Sequence, residues 1–324
     1  MGKDLKGKVV VLVGASSGIG RAAALEFARN GAKLVLAARR ENLLAELAVA
    51  CENLNTTATY IKTDVTNPEE VQQLAHAAME FGGKIDVWIN NAGIGAVGEF
   101  AETPIAAHDH VIKTNLMGHI HGAHAVLPYF KQQGYGILIN TISVGAWVPE
   151  PYTVAYAASK FGLRGFSGAL RGELLNWPDI QICDVFPAFI DTPGFQHAAN
   201  YIGKKIKPIP PVYEADRVAK AMVELAYHPK ERVTVGGSGY LLRGSYTLFP
   251  GLTRRILAGI MENYFSRAKP APVADNGLFE PTDIGSGISG GWLSPEDKQR
   301  TTVLTGVALL AGAAAGLYLA MRKS

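Results

Sequence analysis

Cysteine is scarce in this 324-residue chain: Cys51 and Cys183 are the two present. They lie far apart and without a metal-ligand spacing, which excludes a disulfide framework and fits free thiols in a reducing compartment. A charge of one sign is also lacking. Lysine and arginine number 31 against 28 acidic residues, and they are spread along the sequence, so the basic stripe of a nucleic-acid binder is missing. No secretory signal precedes the first strand, because residues 1–8 are polar, and Lys6 breaks the myristoylation pattern that Gly2 opens. Synthesis and folding in the cytosol are expected. No metal is expected either. His119, His121 and His124 stand at offsets of two and five; of the three, only His121 and His124 can share a helix face, and all are read as helix-surface or interface residues.

What is present is a folded composition, 48% apolar and 18% charged, organised as a strict alternation. Residues 9–13, 33–37, 57–62, 85–89, 136–141, 180–186 and 232–235 are short runs rich in β-branched residues, apolar throughout rather than alternating, as in strands covered on both faces. Between them, residues 21–30, 41–53, 68–81, 104–133 and 153–177 carry helical periodicity. This β-α alternation predicts an α/β fold: a doubly wound, Rossmann-type parallel sheet of about seven strands with helices on both faces, over residues 1–250. Residues 251–265 predict a short amphipathic helix, read first as a packing helix. Residues 266–301, rich in Pro, Gly, Ser and Asp, read as a flexible linker. Residues 302–320 are uncharged over about the 20 positions needed to cross a bilayer, and Arg322 and Lys323 follow. A transmembrane tail anchor with the catalytic domain facing the cytoplasm is therefore expected. Its Gly312-Ala-Ala-Ala-Gly316 spacing would allow two such helices to approach closely.

Directly after the first strand comes Gly14-Ala-Ser16-Ser17-Gly18-Ile19-Gly20, opening the first helix. Glycines there permit a tight turn, and the helix N-terminus can offer free N–H groups to a pyrophosphate. At the end of the second strand, where a carboxylate would bind the ribose hydroxyls of NAD, the chain reads Ala37-Ala38-Arg39-Arg40. A 2′-phosphate would meet a guanidinium there, so NADP(H) is the expected cofactor. Arg39 is the better candidate, and Arg40 reads more naturally as the start of a solvated helix.

Tyr156 and Lys160 stand four apart early in a helix and so share a face. A nearby ammonium favours phenolate and draws a tyrosine toward a useful acid-base range. Ser143 falls just past the fifth strand, at the sheet edge where such folds bind ligands.

Gly14, Gly18 and Gly20, then Asn90-Asn91-Ala92-Gly93, Asn115, Ser143, Tyr156 and Lys160 occur in an order and spacing that closely resemble the classical short-chain dehydrogenase/reductase family. The resemblance covers roughly residues 5–250. It implies a hydride-transferring oxidoreductase in which Asn115 holds a water, Ser143 orients the substrate oxygen, Tyr156 exchanges the proton, and Lys160 binds the nicotinamide ribose. It further implies Asp64 at the adenine, Asn91 with Ala92 and Gly93 along the adenosine side, and Pro187, Ile190 and Thr192 at the nicotinamide. Ala188 stands where the family has glycine. Arg39 matches the NADP-preferring branch. A homodimer or homotetramer, paired through the helices carrying Asn115 and Tyr156, is also implied.

Phe195, Tyr201, Ile202, Ile206 and Ile209, with Trp147 and Val148 beyond Ser143, suggest a mostly apolar pocket. The expected substrate is a lipophilic carbonyl or secondary alcohol. The alternative is a non-catalytic, membrane-tethered NADPH-binding sensor or scaffold, against which the intact set of catalytic side chains argues.

Overall fold

Successive side chains of a strand point to opposite faces of its sheet, and strand β1 (Val9–Val13) buries all of them. The computed structural model, which describes residues 5–293, shows where each half goes. Val10 and Leu12 join one core with Ala23, Phe27, Leu44, Val218 and Met222. Val9, Val11 and Val13 join another with Val71, Leu74, Val126, Phe130 and Leu170. A strand buried twice over is the reason its sequence shows no polar alternation.

Six further strands flank it: β2 (Lys33–Ala38), β3 (Ala58–Lys62), β4 (Val87–Asn90), β5 (Gly136–Thr141), β6 (Ile180–Pro187) and β7 (Arg232–Val235). The order across the sheet is β7-β6-β5-β4-β1-β2-β3, with every pair parallel. The order reverses direction between β1 and β4, and a crevice opens at the carboxyl ends of these two strands.

Helices α1 (Gly18–Arg29) and α2 (Glu41–Glu52) cover one face. Helix α3 (Pro68–Gly82) lies on the other. Asn67 starts α3 by accepting from the N–H groups of Glu69 and Glu70 at 3.0 and 3.4 Å, ahead of Pro68. The predicted helix 104–133 is three pieces: α4 (Ile105–Ile112), a π-helical turn (Lys113–Met117) and α5 (Gly118–Gln133). Helix α6 (Val154–Glu173) follows β5.

Beyond the predicted elements lie α7 (Ala215–Tyr227), whose Val218, Met222 and Leu225 are buried, and α8 (Gly237–Leu248). The expected amphipathic helix is α9 (Pro250–Arg267). It does not pack as expected: only Thr253 and Phe265 are buried, and Leu252, Ile256 and Ile260 are exposed. Residues 268–293, read as a linker, run back across the carboxyl edge of the sheet and bond to it at many points. The stretch 302–320 lies outside the described residues. Among the described residues no helix is long and apolar enough to cross a membrane.

Candidate functional site

The glycine-rich turn fits its position because there is no room for side chains. A Cβ on Gly20 would lie 2.0 Å from the Gly14 carbonyl oxygen, and one on Gly14, whose φ is +84°, would lie 2.6 Å from the Ala92 nitrogen. This close approach brings the β1–α1 turn against Asn91, which donates from its side chain to the Gly14 carbonyl at 3.1 Å. The crevice beside it is about 380 Å³. It runs from Arg39, Arg40 and Asp64 at one end to Ser143, Tyr156 and Lys160 at the other. Ser16, Ser17, Gly18, Ile19, Ala92, Gly93, Pro187, Ile190 and Thr192 line its length. Gly20 and Asn115 stand behind the wall.

Arg39 donates to the carbonyls of Phe279 and Gly277 at 2.6 and 3.1 Å. Arg40 corrects the sequence reading. It does open helix α2, as its N-cap, but it is half-buried rather than solvated, and its guanidinium donates to Ser16 Oγ and Ser17 Oγ at 3.1 and 2.8 Å and to the Thr282 carbonyl at 3.1 Å. The glycine-rich turn, which supplies those hydroxyls, is distant in sequence, so residue spacing gives no hint of the contact. Asp64 accepts from the backbone and hydroxyl of Thr66, both at 2.8 Å, which fixes its carboxylate in the wall.

At the other end, Ser143 lies at the exit of β5 and accepts from the Gly145 N–H at 3.0 Å. Lys160 is buried, donates to the Thr141 carbonyl at 3.1 Å, and holds its ammonium 5.7 Å from the Tyr156 ring centroid. Burial pushes the Lys160 ammonium down to about 7. Burial also pushes the Tyr156 phenol up to about 12; a hydrogen bond from Ser143 works the other way, and the charge of Glu150 works with burial. The expected lowering of Tyr156 by Lys160 is thus not what this arrangement gives. The physical reason is desolvation, which raises the phenol and at the same time pushes Lys160 toward its neutral form.

Asn115 sits in the π turn, a feature frequent at functional sites. Its side chain is tied to residue 94: Oδ1 accepts from the Ile94 N–H at 2.8 Å, and Nδ2 donates to the Ile94 carbonyl at 2.9 Å and to Ser159 Oγ at 3.2 Å. Both amide hydrogens are committed, which leaves oxygen acceptors for any water. A Cβ on Gly93 would touch both Asn115 Oδ1 and Lys160 Nζ, at 3.5 and 3.8 Å, so the bare glycine keeps that space open between them.

His119 is a further correction. It is buried, pairs with the Ala92 carbonyl at 3.1 Å, and is pushed down to about 3 by burial and by Lys160. It is a neutral core residue rather than a surface one. Among the described residues no histidine, cysteine or carboxylate group is arranged to hold a metal.

The apolar lining differs in detail from the expectation. Ile94, Val97, Val144, Phe189 and Phe195 line it. Trp147 is instead packed between the guanidinium groups of Arg164 and Arg243, at 4.3 and 4.0 Å, and Tyr201 donates to Asp275 at 2.5 Å. Ile209 lines a separate cleft with Tyr264. Glu150, unremarked in the sequence, lines the catalytic end, and burial alone raises its carboxyl to about 7. Its position between Ser143 and Tyr156 in the chain is the signal that could have found it.

Residues 8–201 match the family described as short chain dehydrogenase. The chain is 32% identical to the "Uncharacterized oxidoreductase YxnA" of Bacillus subtilis over 88% of its own length and 81% of that protein. It is also 32% identical to the 11-beta-hydroxysteroid dehydrogenase A of Sesamum indicum, over 72% of this chain and 69% of the other. Among solved structures, it superposes on an alcohol dehydrogenase of the archaeon Thermococcus sibiricus complexed with 5-hydroxy-NADP, with a TM-score of 0.62 and 28% identity over 70% and 95% of the two chains. A short-chain dehydrogenase/reductase of Burkholderia phymatum in complex with NAD gives a TM-score of 0.65 and 26% identity over 83% and 98%. With its seven-stranded sheet, its glycine-rich turn and its Ser143, Tyr156 and Lys160 gathered at one end of one crevice, the chain belongs to the short-chain dehydrogenase/reductase family.

Proposed function

We propose that the protein is an NADP(H)-dependent oxidoreductase that interconverts a lipophilic carbonyl and its secondary alcohol, with Tyr156 as general acid and base. The observation that carries this reading is the single crevice joining Arg39 at one end to Ser143, Tyr156 and Lys160 at the other. A nicotinamide nucleotide suits it: the glycine turn lets a pyrophosphate approach the N-terminus of α1 closely, and Arg39 suits a 2′-phosphate. When bound, that cofactor supplies or accepts the hydride at the substrate carbon. Ser143 orients the substrate oxygen, and Tyr156 gives it a proton in reduction or takes one in oxidation. Burial keeps the phenol protonated at neutral pH, the form that donates the proton in reduction. Lys160 would hold the nicotinamide ribose, and Asn115, whose amide is tied to Ile94, would hold a water in the proton relay. Asp64, Asn91 and Ala92 serve the adenosine side, and Pro187, Ile190 and Thr192 the nicotinamide.

The apolar lining at Ile94, Val97, Val144, Phe189 and Phe195 supports a lipophilic substrate. Membrane attachment through residues 302–320, with the catalytic domain on the cytoplasmic side, suits such a substrate, and the exposed Leu248, Phe249, Leu252, Ile256 and Ile260 beside Arg254 and Arg255 support a surface close to lipid. A homodimer or homotetramer through the helical segment carrying Asn115 and through α6 completes the reading; light scattering on the purified protein checks it. The deciding experiment is NADPH oxidation across a panel of carbonyl compounds with Tyr156→Phe as control. The variant is expected to lose about 10²-fold or more in turnover while still binding NADPH. Unchanged turnover would overturn the mechanism, comparable rates on small polar carbonyls would overturn the substrate class, and NADPH binding without any turnover would favour a sensor.

A further inference from the structure

Residues 276–292 lie outside the stretch that matches the family, yet they tie together the two lips of the nucleotide crevice. The strap is anchored at its start by Leu278, fully buried against Ala107, Val111 and Ala155, and by Asn276, which donates to the Ala198 carbonyl at 2.7 Å. It then crosses the adenosine lip. The carbonyls of Gly277 and Phe279 accept from Arg39, that of Thr282 accepts from Arg40, and that of Gly287 accepts from the Gly18 N–H at 2.9 Å. It ends on the opposite lip, where the buried Asp191 carboxylate accepts from Ser289 Oγ at 2.6 Å, Gly290 N at 3.1 Å and Trp292 N at 2.9 Å. Trp292 Nε1 adds a bond to the Thr192 carbonyl at 3.0 Å.

The two arginines divide their donors differently. An arginine has five N–H groups. Arg40 directs its three nitrogens at Ser16, Ser17, Thr282 and, at 3.5 Å, Gly285, and so stitches the glycine-rich turn to the strap. Arg39 gives two bonds to the strap and, among the described residues, keeps three N–H groups. A guanidinium pinned by two carbonyls is fixed in plane and direction, which is what bidentate binding of a phosphate requires.

We propose that residues 276–292 are a clasp that completes the nucleotide site: the strap and Arg40 position Arg39 for the 2′-phosphate, and a bound nucleotide leaves only when the Asp191 latch opens. The proposal rests on the NADP(H) reading above. It makes Asp191 and Arg40 positioning residues, acting through the strap and Arg39.

Two full-chain variants open the latch from opposite sides. Asp191→Ala removes the shared acceptor. Gly290→Val puts a Cβ where it would lie 2.3 Å from the Thr192 carbonyl oxygen, lifting the strap while leaving the carboxylate in place. Hydrogen exchange at residues 287–292 reports release of the strap, and stopped-flow displacement of bound NADPH reports its departure. Loss of hydrogen bonds to a charged group should raise the NADPH dissociation rate about tenfold or more. NADPH affinity should fall more than NADH affinity, and turnover at saturating cofactor should change far less than KM for NADPH. Dissociation within about twofold of the parent protein in variants whose strap exchanges freely would overturn the clasp. Tighter NADPH binding would overturn it as well, by making the strap a competitor for Arg39. Undiminished protection of residues 287–292 in both variants would overturn Asp191 as the latch. A parent protein that binds neither nucleotide would overturn the NADP(H) reading and the clasp with it, whereas binding with unaltered dissociation overturns the clasp alone.

Discussion

Lys160 and Tyr156, one helical turn apart, share one end of the crevice, the lysine buried and the tyrosine partly buried, with the ammonium 5.7 Å from the ring centroid and hydrogen-bonded to the Thr141 carbonyl. Burial pushes the two groups in opposite directions, the lysine down to about 7 and the tyrosine up to about 12. Each is thereby held toward its neutral form, and the site is costly to the fold in the way functional sites commonly are.

That cost has a sign. The folded Lys160 value of about 7 lies below its value in an unfolded chain, so the unfolded state binds the proton more tightly. The penalty is fully present below pH 7 and fades as pH rises toward 10. Lys160→Met is therefore expected to raise the midpoint of urea unfolding at pH 6–7, less so near pH 10, while turnover falls about 10²-fold or more. Denaturation curves at the two pH values, beside kinetics, check it.

Arg39 and Arg40 should separate cleanly. Arg39→Ala is expected to weaken NADPH binding by about 1.5–3 kcal/mol and NADH binding by little, since only the former carries the phosphate. Arg40→Ala, which frees Ser16 and Ser17 from their shared partner and releases the strap at Thr282, should weaken both, NADPH the more. Titration calorimetry with each nucleotide distinguishes the two patterns.

Glu150 gives a pH test of the opposite sign. Its folded value of about 7 lies above that of an exposed glutamate, so the folded state binds the proton more tightly between about pH 4.3 and 7, and stability falls as pH rises through that window. Glu150→Gln should raise the melting temperature at pH 8 and change it little at pH 4.5. Thermal scans at both values measure the difference.

The buried amide of Asn90 links strands to helix: it accepts from Trp88 Nε1 at 2.8 Å and donates to the His119 carbonyl and Asn140 Oδ1, both at 3.0 Å. Asn90→Ala leaves several groups unpaired in the core, and about 2–4 kcal/mol of stability should be lost. The urea midpoint should fall at unchanged slope.

Much of this molecule is written locally. The apolar runs of β1 and β4, the periodicity of α1 and α3, and the glycine turn each follow from the residues within a few positions, because side-chain period and backbone freedom are local properties. The spacing of Ser143, Tyr156 and Lys160 likewise points to a common site, and the fold brings the three to one end of one crevice. Sequence could not tell that Arg40 serves the glycine turn, that His119 is buried and neutral, or that Trp147 packs between two arginines away from the substrate. Those facts depend on groups tens of residues distant. The largest gap was at residues 276–292, whose Pro, Gly, Ser and Asp content read as a linker. With no repeating side-chain pattern, the strap is held mainly by backbone groups bonding to Arg39, Arg40, Gly18 and Asp191, and backbone hydrogen bonds leave no periodic mark on a sequence. The residues alone determined the sheet, the turn and the order of Ser143, Tyr156 and Lys160; only the tertiary structure decided what closes over them, because that closure is made by partners the chain brings together from far apart.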